Sequence, residues 1–548
     1  MSLERFARLL DDLYFTNSNL AKRTILAAYL REEADPDRGW ALAAIAGTLT
    51  FELFKRNLVK TLMAERMDPY LFDLSREYVG EMSETVALAW PVSADPVRLN
   101  RLPDLHEVIA EFQGATKAEL RERLIVLLDN MTPPQRWALL KLGTNALRIG
   151  MSARTVKMTL AEMAEVDVEV IEELWHGLEP PYESLFAWIE GRAEKPDISR
   201  VLTYSPVMLA SPIDEEKDLD RLHPDTHQAE WKWDGIRVQI ASLRDAMGAV
   251  EAKVFSRKGD DISGSFPDLV GAVDFEGVID GELLVRPLKE GENAAGEREI
   301  GRFNDLQQRL GKKKPSKALR ERLPAHVIAY DVISLDGESQ RARPLHERRE
   351  VLEALIAGRD PARFSLSDTL DWTTVDDLRR LREEAAATDG LIEGLMIKDV
   401  STAYVAGRPR HAWYKWKRDP FLLDAVLMYA QRGTGKRSSY YSDYTFGLWG
   451  EGEREGQLLP IGKAYFGFTD EELKQLDNWI RRHKLKRFGP VQEVDKELVF
   501  EVAFDSAQES ARHKSGYALR FPRIHRIRWD KPASEADRIG ALAELVGR

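Results

Sequence analysis

Glu230-Trp231-Lys232-Trp233-Asp234-Gly235-Ile236-Arg237-Val238-Gln239-Ile240 tends to alternate polar and apolar residues on either side of an Asp-Gly pair. That is the pattern of one half-buried strand turning sharply into another, and it allows Lys232 to point its amine into a pocket. A lysine amine is mostly protonated at neutral pH and attacks nothing until burial or neighbouring cations lower its pKa. Trp413-Tyr414-Lys415-Trp416-Lys417 has period two, which places both lysines on one face of a strand and Tyr414 with Trp416 on the other. Lys398 closes a third strand-like run, Glu393-Gly394-Leu395-Met396-Ile397-Lys398. Lysines gathered at one site would depress the first amine's pKa and bind a polyphosphate.

The chain around these runs has 548 residues, more than one core usually supports, so roughly two to four domains are expected. At 43% hydrophobic and 31% charged residues it has a globular composition. No apolar run is long enough to span a bilayer and Met1-Ser2-Leu3-Glu4-Arg5 lacks a signal-like core, so a cytoplasmic protein is expected. Cysteine is absent, which excludes disulfides and thiolate zinc sites. The formal charge of −12 argues against wholesale non-specific DNA binding. Residues 421–548 carry 21 Lys and Arg against 19 Asp and Glu, a balance of +2 that leaves −14 elsewhere.

The first two hundred residues read as helices, with Phe6, Leu9, Leu10 and Leu13, and again Leu120, Leu124, Leu127 and Leu128, at helical spacing. Thr132-Pro133-Pro134-Gln135 reads as a capping box. In Ala146-Leu147-Arg148-Ile149-Gly150-Met151-Ser152, Gly150 can end one element and Ser152 can cap the next. Prolines recur between 180 and 212, and a domain boundary is placed within 198–205. A strand ending in a polar turn is expected over 252–259, strands at 278–285 and 326–333, and an amphipathic helix with a basic tail over 303–314. After a hinge at Lys417-Arg418-Asp419-Pro420, short strands at 425–429, 444–449, 498–504 and 524–529 suit a small barrel of the oligonucleotide-binding type. Gly433-Thr434-Gly435-Lys436 suggests a phosphate loop, but Ala430 and Arg437 stand where glycine and a hydroxyl residue are required.

In order, Lys232-x-Asp234-Gly235 with Arg237, Asp280-Gly281-Glu282, Tyr330-Asp331, Glu393-Gly394 with Lys398, and Lys415-x-Lys417 resemble the nucleotidyltransferase motifs of ATP-dependent DNA ligases. Each match alone is weak; the ordered set at domain-scale spacing is specific. The resemblance extends to Leu147-Arg148-Ile149-Gly150 in a helical DNA-binding domain and to the last ligase motif at 516–523 and 529–531. It implies a multidomain chain: an all-α DNA-binding domain (1–203), an α+β adenylation domain (204–418) and a C-terminal β-barrel of OB type (419–548). NAD-dependent DNA ligases, which normally carry a four-cysteine zinc module, resemble the chain less, so ATP is the expected donor.

The implied roles follow residue by residue. Lys232 is the nucleophile that becomes lysyl-AMP, and Lys415, Lys417, Lys398 and Arg237 neutralise phosphate oxygens. Glu230 reads the adenine amine, Tyr330 stacks on the base with Met396 as the opposite wall, and Arg257 touches the nucleotide. Glu282 binds the ribose and, with Glu393, serves Mg2+. Arg520, Arg523 and Lys531 reach the β- and γ-phosphates. Arg148, Gly150, Arg309 and Lys312 lie beside the DNA. The expected partner is nicked duplex DNA and no membrane, for a monomeric bacterial repair enzyme in the nucleoid-bearing cytoplasm that a repair helicase or nuclease could accompany. From the residues alone, Tyr330 and Met396 read as core side chains, Glu282 as a satisfied surface carboxylate, Arg148 as a cap or ion-pair partner within a helical bundle, Arg520, Arg523 and Lys531 as solvent-facing barrel charges, and the basic run as solvated charge. An RNA ligase, a GTP-using capping enzyme and a non-catalytic DNA-end-binding protein stay open as alternatives.

Overall fold

The computed structural model describes all residues except 1, 80, 145–146, 199, 288–298, 389, 433–440, 466–468, 490, 511–512 and 547–548. The Gly433 to Lys436 phosphate-loop resemblance therefore falls outside the described residues, as does Ala146. Two compact units emerge: residues 1–156 together with 419–548, and residues 157–418.

In the first unit, helix Ser2–Phe15 buries Phe6, Leu9, Leu10 and Leu13, and helix Lys117–Asn130 buries Leu120, Leu124, Leu127 and Leu128. Helix Pro133–Gly143 opens on the expected capping box, the Gln135 side chain accepting from the Thr132 N–H at 2.9 Å. The C-terminal part is a seven-stranded sheet around strand Phe421–Arg432, which pairs with Tyr441–Trp449 on one edge and with Val499–Phe504 and Val491–Val494 on the other. Helix Asp470–Arg482 contributes Leu476 and Ile480 to its core. Strand Lys484–Phe488, absent from the sequence reading, is exposed at every residue and so carries no alternation to read.

The second unit contains two sheets. One has the strand order Ser211–Pro212, Trp413–Lys417, Ile392–Asp399, His227–Trp233, Thr369–Leu370. The other is built on Val250–Ser256, Ile236–Arg244, Gly277–Val285 and Ala325–Leu335. The Asp234-Gly235 turn does not fold its two strands onto each other; it passes the chain from the first sheet to the second. Each sheet buries its outer face. Ala229, Leu395, Ile397, Tyr414 and Trp416 pack with Leu378 and Leu381 of helix Val375–Ala386. Val238, Ile240, Ile279 and Leu283 pack with Leu352 and Leu355 of helix Leu345–Ala357. Period two then sends the intervening polar side chains to the inner faces.

The 303–314 expectation is shortened by the structure. Only Phe303–Gln307 is helical, and the basic tail continues as turns.

Candidate active site

Strand register sets the residues of the inner face in rows across three strands. Lys232 stands opposite Gly394, which stands opposite Lys417; Glu230, Met396 and Lys415 form the next row, and Gln228, Lys398 and Trp413 the one after. Glu393 should alternate to the other face. The register slips between Ile392 and Gly394, and Gly394 takes φ +141°, so the Glu393 carboxylate emerges on the lysine side. A Cβ at Gly394 would also collide with the Trp416 carbonyl, which makes glycine obligatory there. Glu393 forms ion pairs with Lys232 and, at 3.2 Å, with Lys417.

The electrostatics correct one expectation. Burial works to lower the Lys232 pKa, but Glu393 and then Glu282 outweigh it and hold the amine above its ordinary value. The depression falls on Lys415 instead, through burial, then Arg408, Lys232, Lys417 and Arg257. Across from Lys232, on the second sheet, burial pushes the Glu282 carboxyl up to about 7; Lys232 and Arg237 oppose the shift while Glu393 and Asp234 add to it.

At the other end of the inner face, Lys398 is buried, paired with Glu230 at 2.6 Å and lying 4.7 Å from the Tyr330 ring centre and 4.8 Å from that of Trp413. Expected among the phosphate ligands, it is committed to Glu230, which also accepts from Gln228 at 2.7 Å and Ser367 at 2.8 Å. Arg237 is likewise committed: it donates to Asp280 and to the Met208 carbonyl, each at 2.6 Å, and its guanidinium lies 5.7 Å from the Tyr330 ring centre. Tyr404 also donates to Asp280, and Gln239 does so at 3.2 Å. Met396 packs with Met208 and Trp413. Sequence reasoning missed Ser367, Gln239 and Tyr404; their partners lie 137, 41 and 124 residues away, and no local pattern marks such contacts.

Elsewhere the placements differ. Arg257 is exposed on the turn after strand Val250–Ser256. Arg520, Arg523 and Lys531 belong to the first unit, with Arg523 paired to Asp505 at 2.9 Å and Lys531 to Asp424 at 2.7 Å. Arg148 is exposed at φ +44°, Gly150 has φ +67°, and the Ile149 carbonyl between them accepts from Lys22. Lys312 is exposed. Arg309, expected beside the DNA, is fully buried: it pairs with Asp268 at 2.5 Å and donates to the carbonyls of Ser265 and Leu323. An arginine whose guanidinium is consumed inside the fold cannot meet a phosphate, so that expectation is withdrawn.

Comparison with known proteins agrees with this geometry. A family described as "ATP dependent DNA ligase domain" matches residues 207–417, and one described as "ATP dependent DNA ligase C terminal region" matches residues 437–531. The chain is 30% identical to a probable DNA ligase of Koribacter versatilis, covering 99% of this chain and 96% of that one. It is 28% identical to a DNA ligase of Methanothrix thermoacetophila over 99% and 97%. A probable DNA ligase of Opitutus terrae, 31% identical, matches the whole of this chain, which spans only 62% of that protein. The solved structure Pmar-Lig_PreS3 shares the fold at a TM-score of 0.60, with 16% identity over 95% of this chain and 99% of that one.

Proposed function

The chain belongs to the ATP-dependent DNA ligases, enzymes that seal nicks, and from that premise we propose that Lys232 is the residue that carries the nucleotide. The observation that supports this assignment is the row Lys232–Gly394–Lys417 with Glu393 between its lysines and Glu282 across from it. In the proposed first step the Lys232 ammonium gives one proton to solvent, the Nζ–Pα bond of the freed amine forms as the bond to pyrophosphate breaks, and a second proton leaves the nitrogen for solvent. In the second, an oxygen of the 5′-phosphate at the nick attacks that phosphorus, the N–P bond breaks, and the departing Lys232 nitrogen takes up one proton to leave as an amine and a second to return to ammonium. In the third, the 3′-hydroxyl gives its proton to solvent as its oxygen bonds the activated 5′-phosphorus, and the bond to AMP breaks so that AMP departs.

The residues divide this work. Lys415 and Lys417 face phosphate oxygens, as preorganised positive charge whose value grows as charge shifts in the transition state. Whatever draws Glu393 off Lys232 removes the first electrostatic reason for the amine to keep its proton. Glu230, held by Lys398, Gln228 and Ser367, is oriented to read the base, and Tyr330 with Met396 forms its walls. Arg257, Arg520, Arg523 and Lys531 are read as further nucleotide contacts, and Arg148, Gly150 and Lys312 as DNA contacts.

Magnesium is typical of the family, and the donor set suits it. Glu282 and Glu393 are hard oxygen donors, and burial pushes the Glu282 carboxyl up to about 7 against the opposing charges of Lys232 and Arg237. Among the described residues no group of three or more potential metal ligands gathers; an ion held by these two carboxylates would take its other ligands from water. When bound there it would neutralise the departing pyrophosphate.

Labelled ATP with magnesium tests the assignment: an acid-labile AMP adduct should form on the wild-type chain and be absent from Lys232→Ala. No adduct on the wild type would sink it, and a preference for GTP would favour the capping alternative. Repair service, a monomeric state, a companion helicase or nuclease and a cytoplasmic location extend the proposal. No helix among the described residues is long and apolar enough to cross a membrane. Sealing assays on nicked, gapped and blunt duplexes address the repair reading.

A further inference from the structure

The segment that precedes the nucleotide pocket in sequence is fastened to the turn that carries Arg257. His176 follows helix Val168–Trp175 as its C-cap, and its ring meets Tyr204 edge-on, with centroids 4.9 Å apart at 78°. Tyr204 is buried against Phe255 and Ala241, and its hydroxyl donates at 2.7 Å to the Arg257 carbonyl. The turn closes through the Gly259 N–H to the Ser256 carbonyl at 2.9 Å, with Gly259 at φ +88°. A Cβ on Gly259 would lie 2.7 Å from the His176 ring and 3.1 Å from the Tyr204 ring, so both rings are seated directly against the turn. The next residue is also anchored: the Ser205 N–H donates to Gln239 at 2.5 Å, and Gln239 donates in turn to the Ser205 carbonyl and to Asp280. Burial, with Lys157 nearby, pushes the His176 ring down to about 4, so a neutral imidazole packs here throughout the neutral range.

None of these groups carries reactive chemistry of its own. Their shared feature is that they hold the backbone at 256–260 while the Arg257 side chain is exposed. Strand register sets Ser256 opposite Val238 and Arg237 opposite Glu282, so the turn leaves its strand at the level of Arg237 and Glu282; Arg257 is also among the charges that lower the Lys415 pKa.

We propose that His176 and Tyr204 are positioning residues that fix the 256–260 turn so that Arg257 is held at the Arg237–Glu282 end of the neighbouring strands, making His176 and Tyr204 part of the nucleotide-handling apparatus. The inference rests on the function proposed above. It predicts that shifting the turn misplaces one guanidinium, and displacement of a positioned group by an ångström costs up to about 100-fold in rate.

The test measures formation of the Lys232–AMP adduct by the full chain across ATP concentrations. His176→Ala and Tyr204→Phe should each lower kcat/KM roughly tenfold, and His176→Phe, which keeps a ring edge on Tyr204, should recover most of it. In an Arg257→Ala background His176→Ala should cost little more, because the group it positions is gone. If the two losses multiply, or if Tyr204→Phe matches the wild type, the proposal is overturned. Tyr204→Phe keeps the packing and removes one hydroxyl, so it stays informative if the alanine variant misfolds. A wild type that forms no adduct would instead overturn the assignment of Lys232.

Discussion

Glu393 holds Lys232 as an ammonium, so the proposed nucleophile and its restraint lie in one contact. In Glu393→Gln the largest charge raising that pKa is gone, and acylation of Lys232 by an amine-directed reagent at fixed pH should be severalfold faster, each pKa unit being worth about tenfold in free amine. Equal labelling in the two proteins, quantified by peptide mass, would show that the carboxylate does not govern protonation. Arg309 makes a contrasting case. Alanine there strands the Asp268 carboxylate, leaving it Arg363 at 2.8 Å as its other arginine partner. Breaking such a buried pair costs about 3 kcal/mol. Urea unfolding should reveal that loss, whereas the salt dependence of DNA binding should respond to Lys312→Ala and not to Arg309→Ala.

At the scale of the element, strand Ala325–Leu335 brings Tyr330 beside Arg237 and Lys398 and carries His326 into the core. Burial, then Arg286, pushes the His326 ring from 6.5 down to about 4. Because the folded-state value is depressed, the stabilisation it represents is fully present above 6.5 and is lost as pH falls through about 4, since the unfolded chain takes up the proton first. Urea unfolding between these limits should lose about 3 kcal/mol from this site, and His326→Gln should flatten that part of the profile. The neighbouring strand Ile392–Asp399 shows what an irregularity accomplishes. Regular pairing would send Glu393 away from Lys232, and the slip before Gly394 reverses it.

For the whole molecule, Arg520, Arg523 and Lys531 lie in one compact unit and Lys232 in the other. If Arg523 serves the departing pyrophosphate, Arg523→Ala should slow lysine adenylylation far more than sealing of a pre-adenylylated nick. Equal losses in the two assays would remove that role. Lys531 and Arg523 are engaged by Asp424 and Asp505, so any such service begins with the exchange of a carboxylate for a phosphate.

Much of this architecture was legible in the chain itself. Period-two alternation placed Lys415 and Lys417 opposite Tyr414 and Trp416, helical spacing marked the buried leucines of the N-terminal helices, and ordered short motifs identified the family. These signals are local or linear, and local geometry depends only on neighbouring residues. Protonation and pairing are not local. Lys232 meets Glu393 across 161 residues and Lys398 meets Glu230 across 168, and which charge wins depends on distances in space and on burial. The tertiary structure therefore decided that Lys232 is held charged, that Lys398 serves Glu230, and that Arg309 belongs to the interior.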